Sequence, residues 1–378
     1  MQPRFLRFWR FIASRLRKAL PGALLGPVLV FPALVGLAIF VAAQGTQPGG
    51  AGGRIEWIDV HVHLVGGSGG YESALRLALN AMDETAIRRM IIMPPPQVYG
   101  NPGNHDYESF LDAVRRYQTR FAFLGGGGTL NPMIQAEAQK AEVSDGVKQE
   151  FEEQANLILK QGSRGFGEIT AHHLSHMEGH PYESVAADHP LLLLLADIAG
   201  RNNAVIDFHF DVVAEETKAP AWMDSPPNPR LFRANLPAFE RLLAHNRKAV
   251  FVWAHSGSDM LGFWTTELSQ KLLAAHPNLH MSLRMAPGRA PENHPLTKAG
   301  EIRPNWLKLL QMFPDRFVIG GDQFFVSPSI RGSGPGVAFS KMAAFNRERS
   351  RIFLAALQVD LGRKIAFENA VRLYKLKD

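Results

Sequence analysis

Cysteine is absent from the 378 residues. That absence excludes a disulfide framework, thiolate metal sites and a cysteine nucleophile. A charge surplus is also missing once the N-terminus is set aside. The formal net charge is +6 and the isoelectric point about 9.5. Six of the 41 basic residues (Arg4, Arg7, Arg10, Arg15, Arg17 and Lys18) lie in the first 18 positions, which hold no acid, and the other 35 match the 35 acidic residues. The body of the protein is neutral, so its basicity gives no support for nucleic-acid binding.

What is present begins with that basic segment. The next 25 residues, 19–43, carry no charge. A basic flank followed by an apolar run reads as an export signal or a membrane anchor helix. Val41-Ala42-Ala43 before Gln44 fits the small-residue pattern of a signal-peptidase site. The run is also long enough to span a bilayer core of about 30 Å. Either reading places the body outside the cytoplasm, free in the periplasm or extracytoplasmic space, or tethered to the membrane. Residues 44–53, rich in glycine, read as a flexible linker. Residues 54–378 are then one folded domain.

Within that domain, strand and helix patterns alternate. Strands are predicted at Trp57–Leu64, Arg89–Met93, Arg120–Leu124, Arg164–Ile169, Ala204–Phe210, Ala249–His255, Leu279–Arg284 and Arg316–Ile319. Helices are predicted at Tyr71–Met82, Tyr107–Tyr117, Lys148–Lys160, Leu191–Ala199, Asn235–Asn246, Thr265–Ala275, Pro304–Phe313, Ser340–Leu357 and Arg363–Lys375. Eight strand–helix units in about 320 residues point to an α/β fold, a closed (β/α)8 TIM barrel. An open doubly wound sheet is the alternative, but no glycine-rich dinucleotide fingerprint follows the first strand. Gly125–Gly128 lack the Gly-Lys-Ser/Thr ending of a phosphate loop.

In such a barrel, chemistry sits at the carboxyl ends of the strands. Those ends carry His61 and His63, Glu168, His209, His255 and Asp322. Alternation puts Asp59, His61 and His63 on one face of the first strand. Imidazole and carboxylate donors suit a divalent ion, zinc foremost, with manganese or iron as alternatives.

The set Asp59-Val60-His61-Val62-His63, His209, His255-Ser256-Gly257 and Gly321-Asp322 resembles the amidohydrolase superfamily, in particular its amidohydrolase-related branch of metal-dependent hydrolases. The resemblance covers roughly residues 55–375. It implies that His61, His63, His209 and Asp322 bind metal, and that His255 binds a second ion or polarises substrate. Binuclear relatives often bridge their ions with a carbamylated lysine on strand four. Here that position is Glu168, which either bridges two ions or assists one.

The chemistry implied is hydrolysis of a C–N or C–O bond in a small amide, lactam, ester or lactone. Asp322 serves as proton acceptor and His255 as oxyanion stabiliser. Arg284 shares a face with Ser282 on the seventh strand and is a candidate clamp for a substrate carboxylate. His172, His173, His176 and His180 read as a solvated loop, with a cap over the pocket or an adventitious metal site as the alternatives. Asp211–Arg233 reads as a lid or rim, and Pro94–Pro96 as the opposite wall. A non-oxidative decarboxylase or hydratase on the same barrel, or a non-catalytic binding protein, are the competing readings. The sequence leaves the number of ions and any homo-oligomer open.

Overall fold

Parallel strands covered on both faces are apolar throughout, and the first strand, β1 (Trp57–Val65), is buried along all but its last residue. The computed structural model describes residues 55–66, 70–223, 227–332 and 334–377. The expected signal or anchor (1–43) and linker (44–53) lie outside the described residues. Among the described residues no helix is long and apolar enough to cross a membrane.

After β1 come β2 (Ile87–Ile92), β3 (Phe121–Phe123), β4 (Gly125–Gly126), β5 (Gly165–His173), β6 (Glu183–Ser184), β7 (Val205–Phe210), β8 (Thr217–Lys218), β9 (Leu231–Phe232), β10 (Val250–Ser256), β11 (Leu279–Leu283), β12 (Phe317–Ile319) and β13 (Gln323–Val326). The main sheet runs β3-β2-β1-β12-β11-β10-β7-β5-β4, with β13 also on β1 and β6 on β5. Every pairing along that path is parallel. β6 is antiparallel to β5, and β8 and β9 form a separate antiparallel pair. The architecture is therefore α/β with a mostly parallel sheet. The closed ring expected from the sequence is not traced as one continuous ladder; the path ends at β3 and β4.

All eight predicted strands form, because each is a β-branched or aromatic run bounded by turn residues. Helices follow the predicted spans with local differences. The span 107–117 divides into a 3₁₀ turn (Tyr107–Ser109) and a helix (Leu111–Arg116), and the last helix contains a π segment at Lys364–Glu368. The helix Leu130–Ala136 was not expected.

Two apolar layers sandwich the sheet. Ile58, Val60, Ile91, Met93, Leu124, Val205, Val252 and Val318 pack with Ala370, Leu373 and Tyr374 of the C-terminal helix. Val62, Leu64, Ile206, Phe208, Phe251, Trp253, Met281 and Leu283 pack against the surrounding helices in a larger cluster. Because Leu279, Met281 and Leu283 all belong to the helix-facing layer, alternation turns His280, Ser282 and Arg284 the other way.

Candidate metal centre

Three strands change phase just before the residue they deliver to the site. In β1, Ile58 and Val60 belong to one layer and Val62 and Leu64 to the other, and the ladder to β2 shifts register between Asp59 and Val62. The β5–β7 ladder shifts between Phe166 and Ile169, and the β10–β11 ladder between Trp253 and Ser256. His61, Glu168 and His255 thus each sit at an irregularity of the kind that re-aims side chains beside active sites. The expectation that Asp59 shares the histidines' face fails for this reason. Its buried carboxylate accepts instead from the backbone N–H of His61 (3.2 Å) and Gly321 (2.8 Å) and from Gln323 Nε2. It braces the segment that presents Asp322. Burial, only partly offset by those donors, pushes Asp59 up to about 6. His255 and Asp322 have φ of +69° and +48°, a left-handed conformation that costs a side chain of order 1–3 kcal/mol and clusters at functional sites.

All six strand-end residues converge. Glu168 lies between two imidazole pairs. Its Oε2 is 3.3 Å from His61 Nε2 and 3.5 Å from His63 Nε2. Its Oε1 is 2.8 Å from His209 Nδ1 and 3.0 Å from His255 Nε2. Asp322 Oδ1 joins the first group, 3.4 Å from His63 Nε2 and 4.0 Å from His61 Nε2. His209, which the family resemblance groups with His61, His63 and Asp322, stands instead with Glu168 and His255.

Proton placement tests whether cations fit. His63 Nδ1 donates to the Met93 carbonyl (2.9 Å), which leaves a lone pair on Nε2. His61 Nδ1 faces Asp207 Oδ1 at 3.1 Å, and His209 Nε2 faces Asp211 Oδ2 at 3.2 Å. The remaining ring nitrogens then meet each other: His61 Nε2 and His63 Nε2 at 3.1 Å, His209 Nδ1 and His255 Nε2 at 3.0 Å. Lone pairs that face one another and a carboxylate repel unless a cation lies between them. Carboxylates behind ligating imidazoles are the usual outer support of such sites. The donor set therefore fits divalent ions.

Without an ion, a proton takes the cation's place beside these carboxylates. Burial alone would lower His61, but Asp207 and Glu168 raise it well above its usual value. Burial is likewise overridden at His209, which Asp211 and Glu168 carry up to about 10. Although burial opposes it, Glu168 is held well below the usual carboxylate range by His61, His209 and His255. Asp322 is also held well below that range, against burial, by Arg284 and His255. Sequence reading missed Asp207 and Asp211, although the spacing Asp207-Phe208-His209-Phe210-Asp211 contains their signal: period-two carboxylates flanking a ligand.

A cavity of about 370 Å³ opens on this centre. Pro95, Pro96, Val98, Phe324 and Phe339 form apolar walls, and Arg284 reaches its lining. The guanidinium engages Asp322 (Nη2 to Oδ2, 3.1 Å), so the expected substrate clamp is already paired with a protein carboxylate. Among the described residues, none of 211–233 lines the cavity, which corrects the expected lid. That stretch acts indirectly: Asn228 Oδ1 accepts from the Ser175 N–H at 2.9 Å, and its Nδ2 donates to the Ser175 carbonyl at 2.8 Å. The histidine loop is not solvated as expected. His172, His173 and His180 are buried, and His173, His176 and His180 line the cavity. Burial pulls His176 and His180 each down to about 3.

These features define a candidate metal centre on a mostly parallel α/β sheet. No family model matches the sequence, and no curated protein matches it. Solved structures do resemble it. An amidohydrolase II is 14% identical, over 85% of this chain and 100% of its own, with a TM-score of 0.46. A putative amidohydrolase from Staphylococcus aureus is 12% identical, over 85% and 100%, with a TM-score of 0.45. A 2,6-dihydroxybenzoate decarboxylase from Rhizobium is 12% identical, over 85% and 99%, with a TM-score of 0.41. At this identity and overlap the likeness is one of chain path, and the reading of the site rests on its own side chains.

Proposed function

We propose that the protein is a metal-dependent hydrolase of small molecules, in which Glu168 would be shared between two divalent ions, one held by His61 and His63 and the other by His209 and His255. The observation that carries this reading is the division of the Glu168 carboxylate, one oxygen toward His61 and His63 and the other toward His209 and His255. Asp322 Oδ1 adds to the first group through His63 and His61, and Asp322 also clusters with His61 and His255. Zinc suits this set of nitrogen and oxygen donors, as do manganese and iron.

When bound, such ions polarise a carbonyl and lower the pKa of water from about 15.7 towards about 7. The chain's own residues supply the rest. Asp322, with Oδ2 held by Arg284, takes the proton of the attacking water and returns it to the leaving group. His255 Nδ1, buried, without a hydrogen-bond partner and 4.0 Å from Asp322 Oδ2, offers a hydrogen bond to the substrate oxygen that gains charge. Asp207 and Asp211 keep His61 and His209 in the ligating orientation.

The same reading includes closure of the sheet into an eight-stranded barrel. β3 and β4, the two ends of the path, are separated in the chain by Leu124 alone. Leu124 N–H donates to the Ile92 carbonyl, and Arg164 N–H donates to that of Phe123. These two bonds support reading the two ends as parts of one strand that would meet both neighbours. Residues 1–43 would export the domain or anchor it outside the cytoplasm, which fractionation of expressing cells tests.

Metal analysis of the purified protein tests the centre. Two ions per chain are expected, falling to one in Glu168→Gln; one ion in both proteins would remove the bridge. A panel of small esters, lactones and amides, also scored for release of carbon dioxide, separates hydrolysis from decarboxylation.

A further inference from the structure

The loop that follows β5 is braced from end to end, and the bracing sets the tautomers of two histidines facing the cavity. Leu174 N–H donates to Asp211 Oδ2 at 2.8 Å, and Ser175 Oγ to the His180 carbonyl at 2.6 Å. His173 Nδ1 lies 3.0 Å from the Pro181 carbonyl, which can only accept. His173 therefore carries its proton on Nδ1, and its Nε2 is an acceptor. His180 is the reverse. Its Nδ1 accepts the backbone N–H of His176 at 3.1 Å, so its Nε2 carries the proton and donates. The two rings lie 4.5 Å apart between centroids, and both line the cavity. His176, 5.1 Å from His180 between centroids, lines it too and has a buried Nδ1 with no partner. A buried ring nitrogen left without a partner in a cavity wall calls for a ligand group.

We propose that His173 and His180 form a donor–acceptor pair that recognises a substrate group able both to donate and to accept, a hydroxyl or a carboxamide. A carboxylate only accepts and would meet the lone pair of His173 Nε2. An ammonium only donates and would meet the proton of His180 Nε2. Arg284, already engaged by Asp322, does not shift this selection towards an anion. Phe324 and Phe339, whose ring centroids lie 5.6 Å apart, supply an apolar wall for the rest of the molecule. The inference rests on reading this cavity as the substrate site of the proposed hydrolase.

Three ring compounds of similar size separate the possibilities: benzamide offers both functions, benzoate only acceptors and benzylammonium only donors. Binding to the full chain, metal-loaded and after chelator treatment, is read by ligand-observed NMR titration, and the chelator-treated arm carries the comparison because a bound cation would itself hold benzoate. Benzamide is expected to bind at least about tenfold more tightly than either ion, because an unmatched buried polar group loses its hydrogen bond outright. His180→Phe should remove that preference. His180→Asn retains an acceptor for the His176 N–H and loses the outer donor, so it should also remove it, and it serves if the phenylalanine variant does not fold. Equal binding of the three probes, or an undiminished benzamide preference in the folded variant, would overturn the proposal. Metal content of the same samples is measured alongside. A chain that takes up no metal on loading yet prefers benzamide would sink the hydrolase reading and leave the recognition pair standing.

Discussion

Arg284 Nη2 lies 3.1 Å from Asp322 Oδ2, while Asp322 Oδ1 is turned to His63 at 3.4 Å. One carboxylate is thus held at both ends, by a guanidinium on one side and by the candidate metal centre on the other. Removing the guanidinium leaves a buried charge with one tether fewer. Arg284→Met is expected to lower turnover of a hydrolysed ester or lactone by about 10- to 100-fold, with partial recovery in Arg284→Lys. Unchanged turnover in the methionine variant would mean that the tether does not position Asp322.

Asp207 is fully buried and faces His61 Nδ1 at 3.1 Å. A carboxylate in that position orients the imidazole and strengthens it as a ligand. Asp207→Asn should weaken binding of the ion held by His61 and His63 by about 10- to 100-fold, measured by competition with a chelator. The ion held by His209 and His255, which has its own support in Asp211, should be affected less.

Gly321 admits no side chain. A Cβ there would meet Asp59 Oδ2 at 2.5 Å and Gln323 at 3.0 Å. Gly321→Ala must displace the Asp59 carboxylate and the Gln323 side chain, which brace the segment that bears Asp322. Destabilisation of about 1–3 kcal/mol is expected from the overpacking, together with loss of metal from the His61–His63 side. Urea denaturation and metal analysis of the same sample check both halves.

His280 lies far from these donors in the chain and supplies a pH prediction. Burial, with Arg316 and Arg372 adding repulsion, pulls it from the usual 6.5 down to about 3. Between those values the unfolded chain binds a proton that the folded chain refuses. The stability this provides is complete above the unfolded value and is lost as the pH falls towards 3. His280→Asn should flatten the acid limb by up to about 1.4 kcal/mol per pH unit between pH 6 and pH 4. Urea midpoints of the two proteins that change in parallel with pH would contradict this.

Much of the fold was legible in the chain. The short, nearly continuous apolar runs located all eight strands, since a strand buried on both faces must be apolar along its length. The donors His61, His63, Glu168, His209, His255 and Asp322 were legible as residue types at strand ends. Alternation failed where it was carried across the irregularity in β1, and Asp59 was assigned to the wrong face. The histidine loop was misread as solvated because local composition cannot register burial by Asp211, Asn228 and Pro181, which lie up to 53 residues away.

The sequence by itself determined the order of strands and helices and the chemistry of the donors, because both follow from local pattern and residue type. Tertiary structure decided which donors stand together. Glu168 stands between His61 and His63 on one side and His209 and His255 on the other only because the β1, β5 and β10 ladders slip register beside the site. Tertiary structure also decided where each imidazole keeps its proton. At His61 and His63 that is fixed by Asp207 and the Met93 carbonyl, both far along the chain, whereas at His209, His173 and His180 the partner lies within eight residues and only the fold turns it towards the ring.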